Sequence, residues 1–125
     1  MAGPVEAAIR DKLRSGVTLW LLARGKPFVL QYDSAGLVLL QGESGARIRV
    51  TWNCLEGVPA FMRGNGWLSL GGSRSAAGDP GTLDEYFKRH IKRDVARWVG
   101  RVLSEAGVVD VQLGRPVQVR LRAGF

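Results

Sequence analysis

Residues 82–106, TLDEYFKRHIKRDVARWVGRVLSEA, decide how this chain is read. Thr82-Leu83-Asp84-Glu85 has the form of a capping box, in which a hydroxyl and a Glu three residues later satisfy N–H groups left over at a helix start. Asp84 and Glu85 also suit the positive end of a helix dipole. Leu83, Phe87 and Ile91 recur at helical spacing and predict a first helix over 82–90. Asp94 stands where it would cap a second helix. The inward stripe of that helix is Val95, Val99, Val102, Leu103 and Ala106, and Gly107 ends it. The junction is strongly basic. Residues 88–101 hold Lys88, Arg89, Lys92, Arg93, Arg97 and Arg101 against one acid, Asp94, which is +5 of a whole-chain +7. An isolated basic run is commonly just a solvated helix face. Charge concentrated at the junction of two helices points to a polyanion, of which nucleic acid is the commonest.

Downstream, Val109, Val111 and Leu113 alternate with Asp110 and Gln112, and Gly114-Arg115-Pro116 turns the chain. Val117, Val119 and Leu121 then alternate with Gln118, Arg120 and Arg122, which predicts a β-hairpin with one apolar and one polar face. Upstream lies Gly71–Gly81, GGSRSAAGDPG, a flexible connector by composition. It lacks the spacing and the Lys of a nucleotide-binding loop. Trp67-Leu68-Ser69-Leu70 reads as a short strand after Gly64-Asn65-Gly66. Leu55, Val58, Phe61 and Met62 form a helical stripe, and Asn53 with Glu56 resembles a helix cap. Gly57 and Pro59 predict that this helix is kinked or starts only near Val58.

The N-terminal part has a different grammar. Pro4 suits a first helical turn, Val5, Ala8, Ile9 and Leu13 make a stripe, and Gly16 stops it. Val17–Ala23, Phe28–Tyr32, Leu37–Leu40 and Arg47–Thr51 are then short apolar runs separated by Gly- or Pro-containing turns. In the last run Ile48 and Val50 point in and Arg47 and Arg49 point out. Four strands at this spacing predict an antiparallel meander, open or curled into a small barrel.

The order from Asn53 onward is helix, short strand, helix, helix, hairpin, and it resembles the winged helix-turn-helix superfamily over about residues 53–122. Thr82–His90 matches the first helix of the pair, Asp94–Ala106 the second, and Val109–Arg122 the wing. The chain departs from the pattern at His90-Ile91-Lys92-Arg93, where the turn between the helices has no small residue. The expected fold class is α+β. An N-terminal helix and β-meander (1–52) join a winged helix-turn-helix-like part (53–125), as two units or one compact one.

The resemblance implies DNA binding. The second helix would lie in the major groove, with Arg93, Arg97 and Arg101 (i, i+4, i+8) on the face opposite the valine stripe. Lys88, Arg89 and Lys92 would touch phosphates and set register. Arg115 at the wing tip would reach the minor groove or the backbone, with Arg120 on the polar wing face. Trp98, beside the basic stripe, would either stack on a base or pack against a neighbouring domain or dimer partner. The expected partner is nucleic acid, duplex DNA first, with RNA or a single strand as an alternative. A second alternative is a protein-interaction module, or a non-catalytic subunit of a nucleoprotein complex. A homodimer or protein partner would then dock through the N-terminal region.

Other function classes fit poorly. No apolar run approaches the roughly 18–20 residues of a membrane span, and Val17–Ala23 lacks the flanks of a secretory signal. One Cys and one His are too few for a disulfide framework or a structural zinc site. Cys54 reads as a buried small hydrophobe, and Trp20, Trp52 and Trp67 read as core. The acids show no convergence of the kind two-metal hydrolysis requires. The expectation is therefore a non-enzymatic, cofactor-free, cytoplasmic protein, nucleoid-associated if it binds DNA.

Overall fold

In a computed structural model, which describes residues 3–22, 25–42, 45–71 and 80–125, the chain opens with α1 (Pro4–Lys12). Pro4 sits in the first turn, where its missing N–H leaves nothing unpaired. Val5, Ile9 and Leu13 are buried. Four strands follow: β1 (Val17–Trp20), β2 (Pro27–Tyr32), β3 (Gly36–Gln41) and β4 (Arg47–Thr51). They pair antiparallel in chain order as an open sheet. Alternation decides which face is buried: Leu19, Phe28, Leu30, Leu37, Leu39, Ile48 and Val50 point inward, Arg47 and Arg49 outward.

The barrel alternative does not hold. β1 and β4 are the two edges of the sheet and do not pair with each other. Four strands are too few to close around a filled interior, and helices cover the inner face instead. α1 is tied to the sheet by the Tyr32 hydroxyl, which donates to the Leu13 carbonyl at 2.9 Å. β1 packs against the helix Ala96–Glu105.

β4 runs directly into α2 (Trp52–Glu56), which Gly57 separates from α3 (Val58–Met62). The break at Gly57 and Pro59 is the expected one, but the cap is not. Thr51 caps α2, its Oγ1 accepting from the Cys54 N–H at 3.2 Å, while Asn53 lies one residue inside the helix. Glu56 instead reaches across to α1. Its two carboxylate oxygens accept from the N–H groups of Val5 (3.0 Å) and Glu6 (2.8 Å). The N-cap of α1 is Gly3, which has no side chain to do this.

β5 (Leu68–Ser69) leads through residues 72–79, which lie outside the described ones, to α4 (Leu83–Ile91) and α5 (Ala96–Glu105). The connector expected over Gly71–Gly81 falls largely on those residues. β6 (Val109–Gln112) and β7 (Gln118–Leu121) form the hairpin, and β7 also pairs with β5, giving the order β5-β7-β6. Buried apolar side chains form one cluster that includes Ile9, Leu30, Leu39, Phe87, Leu103 and Val119. Trp52 joins it. Trp20 and Trp67 do not: they are 51% and 37% exposed, Trp20 on the outward side of β1 and Trp67 just ahead of the strand that begins at Leu68. Leu113 is also exposed, since β6 ends at Gln112 and the alternation no longer binds it. No helix among the described residues is long and apolar enough to cross a membrane.

Candidate nucleic-acid interface

α4 starts at the expected cap, with Thr82 Oγ1 accepting from the Glu85 N–H at 3.3 Å. Leu83 and Phe87 turn this helix onto the core. Asp84 and Lys88 each stand 100° further round the helix than Leu83 and Phe87, yet both are buried too. Lys88 Nζ lies 3.3 Å from Asp84 Oδ2, with side-chain exposures of 5% and 0%. This corrects the expectation that Lys88 touches phosphate: its ammonium serves an interior ion pair. The acid-then-base spacing at i, i+4 carried the signal.

The turn between α4 and α5 does form, without a small residue. Lys92 closes α4 in the left-handed conformation (φ 55°, ψ 30°), and its N–H donates to the Lys88 carbonyl at 3.1 Å. It is the one non-glycine residue at positive φ among the described residues. A lysine here takes the place that glycine fills at lower cost. Lys92 and Arg93 are exposed and form no ion pair with another described residue. Arg89 is 69% exposed and 3.5 Å from Glu85. His90 is exposed, its ring centroid 4.2 Å from that of Tyr86.

Asp94 does not cap α5. The N-cap is Val95, with no side-chain hydrogen bond, and Asp94 Oδ1 is buried without a hydrogen-bond partner. Arg93 therefore precedes the helix, and the single stripe expected for Arg93, Arg97 and Arg101 is not continuous. Arg97 and Trp98 are half-buried, Trp98 against the core cluster. Arg101 is 28% exposed and pairs with Glu105 at 2.6 Å.

The cause is the position of α5. It packs against α1, β1, α4 and β6, and Val95, Ala96, Val99, Gly100, Val102 and Leu103 are all buried. Gly100 admits this packing: a Cβ there would stand 2.7 Å from Leu70 Cδ1. The helix ends on Gly107 (φ 78°), with Val108 N–H bonded to the Leu103 carbonyl and Gly107 N–H to that of Ser104. So α5 is a core helix with a narrow outer strip.

On the hairpin, Arg115 is exposed in the turn. Arg120 is engaged twice, by Asp110 at 3.1 Å and by the Trp67 ring, 4.6 Å from its guanidinium carbon. Asp110 also holds Arg122 at 3.4 Å. Glu85, Glu105 and Asp110 thus temper the basic surface. Two of these partners stood in the sequence at i, i+4 (85/89 and 101/105), and the third stands opposite Arg120 in the strand register.

Cys54 is buried and its thiol is pushed up to about 11, chiefly by loss of water, which keeps it protonated near neutral pH. Among the described residues no group of His, Cys, Asp and Glu is arranged to hold a metal ion. Comparison with protein-family models, curated proteins and solved structures gives no match.

Proposed function

We propose that the chain binds duplex DNA mainly through the phosphate backbone, using the α4–α5 turn and the β6–β7 hairpin of a winged helix-turn-helix-like unit. The observation that carries this reading is the turn itself. Arg89, Lys92 and Arg93 are exposed within five residues, and Lys92 and Arg93 are uncompensated among the described residues. The order α2/α3, β5, α4, α5, β6, β7 supports it, since that is the order of the superfamily the sequence resembles. The half-covered α5 argues for positioning contacts over extensive base reading. A helix gripped by α1 and β1 has only a narrow strip, near Arg97, to offer a groove.

The test is the salt dependence of affinity for a random-sequence duplex. Each neutralised phosphate contributes about −0.9 to the slope of log K against log salt. Lys92→Ala, Arg93→Ala and Arg115→Ala should each reduce the steepness by about 1 and weaken binding similarly on unrelated sequences. Duplex affinity untouched by the three together would sink the reading. Tight binding of single strands with weak duplex binding would replace it.

A further inference from the structure

Among the described residues no helix lies over the outer face of the four-stranded sheet, and the chemistry of that face is uneven. Trp20 on β1, Val29 on β2, and Val38 and Leu40 on β3 share this face. Trp20 is 51% exposed and the other three are partly exposed. The register sets Thr18, Val29, Leu40 and Arg47 side by side across the strands, and Val38 beside Arg49. Trp20, Val29, Val38 and Leu40 thus form an apolar band that reaches from β1 to β3, with the exposed Thr18 and Gln31 beside it, and β4 borders it with two exposed arginines. No strand position on this face carries a carboxylate. Arg49 has a partner in the turn residue Asp33 at 3.3 Å, while Arg47 has no ion pair among the described residues.

We infer that this face docks an amphipathic helix of a protein partner, with apolar residues on the sheet and acidic residues along the flank facing β4. Dimensions support a helix. Strands about 4.8 Å apart make the β1–β3 band roughly 10 Å wide, close to the diameter of one helix. Arg47 and Arg49, two residues apart on a strand, are separated by about 6.6 Å. Acids at i, i+4 on a helix are separated along its axis by about 6 Å, so two carboxylates can meet two guanidiniums.

Charge argues against a second copy of this chain, which would bring the same arginine border and another net +7. Composition argues against a single-stranded nucleic acid, whose bases stack on successive aromatic rings. This face offers one ring among aliphatic side chains. The inference stands independently of the duplex-binding reading, because it uses a different surface.

Two fluorescent synthetic helices test it on the full chain. They share a leucine stripe, and one carries glutamates and the other lysines at i, i+4 along one flank. The glutamate helix should bind, and the lysine helix should bind at least about tenfold more weakly. Arg47→Glu/Arg49→Glu should reverse that order, and Trp20→Ser should weaken the glutamate helix. Arg47→Glu alone, at an exposed position with no ion pair among the described residues, repeats the test if the double variant does not fold. The inference is overturned if neither helix binds, or if both bind equally and the arginine variants change nothing. It is also overturned if Trp20→Ser dissolves a dimer of the parent, or removes single-strand binding, without affecting the glutamate helix.

Discussion

Lys88 and Asp84 form an ion pair inside the protein, one turn apart on α4, with Nζ 3.3 Å from Oδ2 and both side chains almost wholly buried. Burial makes the pair asymmetric in its consequences. Removing one partner strands a charge, whereas replacing both by apolar groups can be neutral or stabilising. Lys88→Met should cost about 3–5 kcal/mol of unfolding free energy. Asp84→Leu/Lys88→Met should recover most of it. The same double variant should keep the parent's salt slope for duplex binding, because Lys88 lends no charge to the surface. Urea unfolding and a salt titration measure the two quantities. A slope lowered by about 1 would return Lys88 to the interface.

A second link joins the two ends of the N-terminal half. Glu56 at the end of α2 acts as the N-cap that Gly3 cannot supply for α1. Glu56→Ala should destabilise by about 1–2 kcal/mol, the cost of a lost cap with two charge-assisted bonds. A Cβ on Gly3 would collide with the Glu56 carboxylate. Gly3→Ala should therefore cause much of the same loss, and the two substitutions should be less than additive. Full additivity would show that Glu56 and the start of α1 do not work as a unit.

Period and punctuation made much of this fold legible. The alternation of Arg47-Ile48-Arg49-Val50, the Thr82 cap and the Gly107 stop all appear where the sequence puts them. The candidate site was less legible, because periodicity names the inner face of a helix but not what covers the outer one. Arg97 and Arg101 lie off the valine stripe of α5, yet both are half-buried on a helix that α1 and β1 approach. That approach is a long-range event which no local pattern records. Lys88 and Asp84 show a related limit: the i, i+4 spacing marks them as a pair but not that the pair turns inward. Trp20 and Trp67 misled for a related reason: an aromatic in an apolar run can occupy the outward position of a strand or its flank.

Cys54 gives the chain an alkaline limit. Its folded thiol is raised from an ordinary value of 9.0 to about 11, mainly by desolvation. The folded state therefore holds its proton over a window in which the unfolded state releases it. The stabilisation is fully present below pH 9 and is lost as pH rises toward 11. Tyr86, also raised by burial, adds to the loss at the upper end of this range and beyond. Urea midpoints should fall across this window, and Cys54→Ala should flatten the lower part of the fall. At about pH 8, where a free thiol is partly ionised, the native protein should resist a thiol reagent that labels it quickly in urea. Rapid native labelling would contradict this burial.

Lys92 separates stability from binding at one position. A non-glycine residue held at φ 55° costs about 1 kcal/mol relative to glycine, and such strain tends to persist where a side chain is needed. Lys92→Gly should raise unfolding stability by about 0.5–1 kcal/mol while lowering the salt slope of duplex binding by about 1. Lys92→Ala removes the same charge and keeps the backbone conformation. It should lose affinity to the same extent without the gain in stability. Equilibrium unfolding and salt titrations on the three proteins decide the matter. If the glycine variant is more stable and binds duplex as well as the parent, the strain at this turn has no connection to DNA, and the positioning role of the α4–α5 turn falls with it.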